Sequence, residues 1–165
     1  MGKHQARAEV SELMPAPSAV VFDVIHDYAR RLEWDTLLSA AYIDDGAPEA
    51  GKGVITVCVG RVALGRIALR TVYVSFQRPH VAAVKMLNRP PFFATWAASI
   101  RHEDLTDGRS SVTYTFSFTS RPRFLAWLLE PIMLRVFRWE TRKRLGSLRA
   151  YLQQRGPDNR MEFSS

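Results

Sequence analysis

The sequence predicts an α+β fold in which a curved antiparallel sheet of six or seven strands wraps one long C-terminal helix. Three observations carry this prediction. The stretch from Phe124 to Gln154 repeats apolar residues at three- and four-residue steps (Leu125, Leu128, Leu129, Ile132, Met133, Val136, Phe137, Leu145, Leu148, Leu152), which is helical spacing. Upstream of it, runs rich in β-branched and aromatic residues are separated by short turn signals, as in hairpins. The remaining helical pattern lies near the N-terminus, so helices are segregated from strands rather than alternating with them.

Taken in order, Ala6–Met14 alternates loosely and reads as a first strand at an edge. Pro15 and Pro17 end it, since proline cannot serve a central ladder but suits the first turn of a helix. Val20, Val21, Val24 and Ile25 then recur at helical spacing over Ser18–His26. A second short helix is expected over Tyr28–Glu33, leading through Trp34-Asp35 into a strand over Leu37–Ile43. The polar, glycine-bearing stretch from Asp44 to Gly53 is a connection. Val54–Val62 and Arg66–Gln77 form a hairpin around Ala63-Leu64-Gly65, and further strands cover Val81–Leu87 and Phe92–His102. Asp107-Gly108 is the clearest tight turn. It opens Ser110–Thr119, where Val112, Tyr114, Phe116 and Phe118 alternate with hydroxyl residues, so that one face points inward. Arg121-Pro122 closes the sheet region. Pro131 is expected to kink the long helix or to divide it. A bent sheet closing on so long a helix leaves a gap between the two, which makes a natural cavity.

The 165 residues suit one domain, over 1–154, with a disordered tail over 155–165 that has little to pack. Cys58 is the lone cysteine, so the chain cannot form an internal disulfide. The stretch MGKHQARAEVSE has no apolar core of signal-peptide type. Phe124–Trp139 is interrupted by Glu130, Pro131, Arg135 and Arg138 and falls short of the ~20 apolar residues of a membrane span. These features predict a cytoplasmic protein. The net charge of +7 comes mostly from arginines, without a run of five basic residues. That pattern predicts a basic surface with no specific nucleic-acid partner, compatible with weak contact with an anionic membrane. His26, His80 and His102 lack ligand spacing, and neither a Gly-x-Ser-x-Gly elbow nor a phosphate loop is present, so no metal, cofactor or catalytic residue is assigned.

Several segments together resemble a known family. Ala16 to Ile25 (APSAVVFDVI), Asp27, Trp34-Asp35, Gly51-Lys52-Gly53, Val112-Thr113-Tyr114 and the RKRLGSLRAYL ending from Arg142 to Leu152 follow the order and spacing of the START-like (SRPBCC) helix-grip superfamily. That superfamily includes the polyketide cyclase/dehydrase and lipid transport proteins. The resemblance runs from Ala6 to Gln154. It implies a hydrophobic pocket between sheet and helix that binds a lipid, polyketide or quinone-like molecule, as a carrier or sensor. The alternative it implies is a cyclase or aromatase-like enzyme acting in the same pocket, and fold alone does not choose between them.

The expected pocket lining is Trp96, Tyr114, Phe116, Leu128, Ile132, Met133, Val136 and Phe137. Aromatic rings and a methionine would hold a flat or flexible apolar ligand, although apolar stripes also serve as plain core. On this reading Leu128 to Phe137 is pocket wall and Leu145 to Leu152 is anchoring core. Trp34 is expected to anchor the short helices, with Asp35 turning the chain. Arg66 and Arg70 would bind a carboxylate, phosphate or polyketide carbonyl if inward, but burying both unpaired would cost several kcal/mol, so they are placed outward, with at most one guanidinium reaching the pocket. Cys58 reads as a small core residue, and Tyr114 as a candidate proton donor only if its hydroxyl is left free.

Overall fold

Seven strands form a single antiparallel sheet in a computed structural model that describes residues 5–156. The strands are β1 (Ala6–Met14), β2 (Leu38–Ile43), β3 (Ile55–Gly60), β4 (Ala68–Gln77), β5 (Val81–Met86), β6 (Phe93–Asp104) and β7 (Ser110–Ser120). Their order is β1-β7-β6-β5-β4-β3-β2, so β2 to β7 are a meander and β1 is added to its far edge. The helices are α1 (Ser18–His26) and α2 (Ala126–Gln154). The second short helix is reduced to a 3₁₀ turn over Arg31–Glu33, because Asp35 draws the chain into a turn by accepting from the Leu37 N–H. The sequence positions assigned to the disordered tail fall largely outside the described residues; within them, α2 ends at Gln154 and a turn covers the next two residues.

Local sequence explains the elements. In β1, Ala8, Val10 and Met14 are buried while Arg7, Glu9 and Ser11 are exposed, the two-residue period of a strand with one covered face. α1 starts after Pro17, and the free N–H of Ser18 is taken by Asp104 Oδ1 at 2.7 Å, with the Ser18 hydroxyl on Oδ2 at 2.9 Å. A carboxylate from the end of β6 thus satisfies one orphan donor of the helix and complements its dipole. Gly65 takes φ 68° at the close of the 3₁₀ turn between β3 and β4, a conformation that favours glycine. Gly108 does the same in the β6–β7 hairpin at φ 76°.

β7 keeps its predicted alternation. Val112, Phe116 and Phe118 are buried and Tyr114 is half-buried on the face toward α2, with the Thr and Ser residues between them on the other face. α2 runs unbroken through Pro131, so proline divides nothing here; a preceding 3₁₀ turn over Arg123–Leu125 leads into it. The helix packs across β1 and β7. Its second half buries Leu145, Leu148 and Leu152 against Met14, Val21, Phe22 and Val112, the main core cluster. A second cluster gathers Phe93, Phe116 and Phe118 from the sheet with Met133, Leu134 and Phe137 from α2.

Candidate ligand-binding cavity

A cavity of about 130 Å³ lies between sheet and α2, walled by members of both core clusters. One water needs about 10–15 Å³ on this measure, so the space is far larger than a packing defect. Of the eight residues expected to line it, Trp96, Tyr114, Phe116 and Phe137 do so. Met133 packs in the aromatic cluster beside the cavity without reaching its wall. Leu128, Ile132 and Val136 are exposed on the outer side of α2 and do not line the cavity. The first half of α2 is apolar on nearly every side, so periodicity there did not reveal which side meets the sheet. The inward side runs Met133, Phe137, Thr141, Arg144, Leu148, and the missed outward side runs Leu128, Ile132, Val136, Trp139.

The cavity is polarised along its length. Phe137, Thr141 and Arg144 line it from one face of α2, and seven residues of helix separate the first from the last by about 10 Å. Around Phe137 the wall is aromatic: its ring lies 5.6 Å from Phe93 and 6.4 Å from Phe116, with Trp96 and Ile67 also lining the space. Around Arg144 the wall turns polar. The Arg144 guanidinium sits 5.4 Å over the Tyr114 ring, one face-step along β7 from Phe116.

Behind this polar end lies a buried ion cluster. Asp35, with no exposed surface, holds two arginines on one oxygen: its Oδ2 accepts from Arg31 Nε at 2.8 Å and from Arg144 Nη2 at 2.6 Å. Arg31 also donates from Nη1 to the Ile25 carbonyl and lies 4.8 Å over the Trp34 ring. Burial alone would push the Asp35 carboxyl up, but Arg144 and Arg31 outweigh it and hold it below the usual carboxylate range. Burial opposes the Arg31 charge too, and Asp35 again overcomes it. The role of Trp34 as an anchor and of Asp35 as a chain-turning residue thus both appear in the structure. Arg144 is buried as well. Arg66 and Arg70 stay outside: Arg66 is exposed before β4, and Arg70 pairs with Asp44 at 2.7 Å on the surface.

Hydroxyl and imidazole groups extend the polar end. Tyr28 Oη lies 3.0 Å from Tyr73 Oη and donates to Thr56 Oγ1 at 3.3 Å, and Thr56 meets Thr71 at 3.1 Å. His26 Nδ1 is 2.7 Å from the Phe22 carbonyl, an acceptor only, so Nδ1 carries the proton and Nε2 is left as an acceptor. Burial lowers the His26 pKa to about 3, and the ring is neutral at physiological pH. Burial raises the Tyr114 hydroxyl and the Cys58 thiol, both on the wall. The cavity therefore offers donors and a neutral acceptor rather than a base poised near neutrality. No three-residue cluster suited to a metal occurs among the described residues. The indole N–H of Trp34, also on the wall, meets no acceptor among the described residues.

Comparison with known proteins follows this geometry. The sequence profile of the polyketide cyclase / dehydrase and lipid transport family matches residues 5–153. No curated protein matches the chain in sequence. Among solved structures, the Zhui aromatase/cyclase from Streptomyces sp. R1128 superposes with a TM-score of 0.74 at 17% identity, covering 92% of this chain and 96% of that one. A START superfamily protein from Mycobacterium smegmatis gives 0.73 at 7% identity, over 90% and 97%. The di-domain ARO/CYC StfQ of the steffimycin biosynthetic pathway gives 0.74 at 12% identity, over 92% of this chain and 52% of that one. At these identities the superpositions establish a common fold.

Proposed function

We propose, from the premise that the chain belongs to the polyketide cyclase/dehydrase and lipid transport family, that it binds a hydrophobic small molecule in the cavity between sheet and α2 and acts as its carrier or sensor. The observation that carries this reading is the cavity itself, roofed by Phe93, Phe116 and Phe137 with Trp96 beside them. A core packed to ordinary density leaves no such space. Removing ~200 Å² of ligand apolar surface from water would supply about 5 kcal/mol of gross driving force. Native mass spectrometry of the protein as purified tests this: a co-purifying lipid, polyketide or quinone supports it. An empty protein whose melting temperature is unmoved by representatives of all three classes would overturn it.

The second reading, a cyclase or aromatase-like enzyme, is favoured by one feature. Polar side chains do converge on the wall: His26, Tyr114, Thr141 and Arg144 all reach it. Such an enzyme would fold a reactive chain by pocket shape and hydrogen bonds from these groups. Adding the protein to a poly-β-ketone chain would then change which ring forms, whereas an unchanged product mixture argues for the carrier.

The outer side of α2 supports contact with an anionic membrane. Trp127 is 77% exposed and Phe124 76%, and Leu128, Ile132, Val136 and Trp139 continue the apolar strip along the helix. Arg135, Arg138 and Arg142 are exposed between and beside them, with no ion-pair partner among the described residues. Aromatic and aliphatic residues flanked by unpaired arginines match a surface of acyl chains beneath anionic headgroups.

A further inference from the structure

We infer that the ligand of this cavity carries an acidic oxygen, a carboxylate or an ionised enol or phenol, and that this oxygen docks on Arg144 at the polar end. The inference deepens the hydrophobic-ligand reading and rests on it.

Two guanidiniums, Arg31 and Arg144, stand on the cavity wall, and no aspartate or glutamate does. The carboxylate that both touch is that of Asp35, set behind the wall. Two positive charges against one negative leave the cluster with a net charge of +1 in a region where all three residues are buried. The other buried acid, Glu140 on α2, is off the wall and turned toward Lys143 at 3.6 Å. An uncompensated buried charge is costly, and folds retain one where something else completes it.

The hydrogen-bond inventory points to the same place. Arg31 spends Nε on Asp35 and Nη1 on the Ile25 carbonyl. Arg144 spends only Nη2, on Asp35, and its remaining N–H groups find no acceptor among the described residues. A planar guanidinium with donors to spare, fixed on one side by a carboxylate and on one face by the Tyr114 ring, is organised in advance to grip an oxygen anion. Tyr114 lines the same end and its hydroxyl has no hydrogen-bond partner among the described residues, so it supplies a second donor. The ligand's apolar body then extends about 10 Å along α2 toward Phe137, Phe116 and Trp96, where nothing charged lines the wall.

The test compares two probes of one shape, 2-naphthoate and 2-naphthamide, titrated at neutral pH into the full chain and followed by calorimetry. The expected result is naphthoate binding at least about ten-fold tighter than the amide, the contribution of one hydrogen bond to a charged group. Arg144→Gln keeps the Arg31–Asp35 pair, and it is expected to erase the preference for naphthoate over the amide. Equal binding of the two probes to the parent protein overturns the inference and leaves the hydrophobic-ligand reading standing. Binding of neither probe overturns the inference too, while the hydrophobic-ligand reading answers to its own mass-spectrometry and melting test. The parent comparison stands without the variant, so a misfolded Arg144→Gln does not blunt the test.

Discussion

Asp35 and Arg144 are 109 residues apart in sequence and meet at 2.6 Å inside the protein, tying the turn after α1 to the middle of α2. Asp35 is the shared partner of two guanidiniums, so its loss leaves both buried without a counter-charge. Asp35→Ala is expected to lower stability by ~3–5 kcal/mol. Arg144→Gln, which leaves the Arg31–Asp35 pair, should cost clearly less. Urea unfolding midpoints of the two variants check the order; equal losses would mean that the pairs do not share Asp35 in solution.

Leu148 and Phe137 separate anchoring from ligand contact along α2. Leu148 has no exposed surface and touches only core, so Leu148→Ala should cost ~2–5 kcal/mol without changing ligand selectivity. Phe137 is on the cavity wall but also stacks edge-on to Phe93 and Phe116. Phe137→Ala is therefore expected both to destabilise and to alter the fit of the ligand. Thermal melts of each variant, with and without a bound probe, distinguish the two effects.

Acid should unfold the protein through its histidines. His26 titrates at about 3 and His102 at about 4 in the folded state, both lowered mainly by burial from the 6.5 of an unperturbed ring. Below 6.5 the unfolded chain takes up protons that the folded one refuses, so stability falls as the pH drops. The loss is complete once the pH has passed below the folded values. Together the two rings should remove several kcal/mol, to order of magnitude, between about pH 6.5 and 3. Both His102 ring nitrogens lack hydrogen-bond partners among the described residues, and the ring lies 5.3 Å from Phe22. His102→Phe should therefore flatten the decline in urea midpoint over this range, and a slope equal to the parent's would refute its part.

If the outer side of α2 meets a membrane, the protein should float with vesicles rich in phosphatidylglycerol at low salt and not with phosphatidylcholine alone. Salt should release it, since exposed charges are screened. Trp127→Ala and the pair Arg135→Glu with Arg138→Glu should each abolish flotation while leaving the fold intact. Self-association through this side, seen as a concentration-dependent dimer in sedimentation, would instead identify a second copy as its partner.

Much of this architecture was legible in the sequence because each strand carries its own signal. Ala6–Met14 and Ser18–His26 were read at their observed boundaries, and the Val112–Phe118 alternation oriented β7 correctly. The cavity's aromatic end followed from that alternation and the family resemblance. Its polar end did not. Arg31 and Arg144 sit in arginine-rich stretches whose other members face solvent, and no local pattern distinguishes a buried guanidinium from its exposed neighbours. The informative sign was Asp35, a carboxylate beside a buried tryptophan, which required a partner that only the tertiary fold could bring. Leu128, Ile132 and Val136 were misplaced for the opposite reason, since a helix apolar on all sides hides its inward face.

The strand order also constrains how the chain acquires its structure as it is synthesised. β1 is hydrogen-bonded to β7 alone, in a register from Ala6 with Phe118 to Met14 with Ser110. The meander from β2 to β7 can assemble strand by strand as it emerges, while β1 has no ladder to join until β7, the last strand in chain order, arrives. Contacts of such long range are slow to form. Nascent β1 is thus an unpaired strand until β7 has been made, exposed to any other edge it meets.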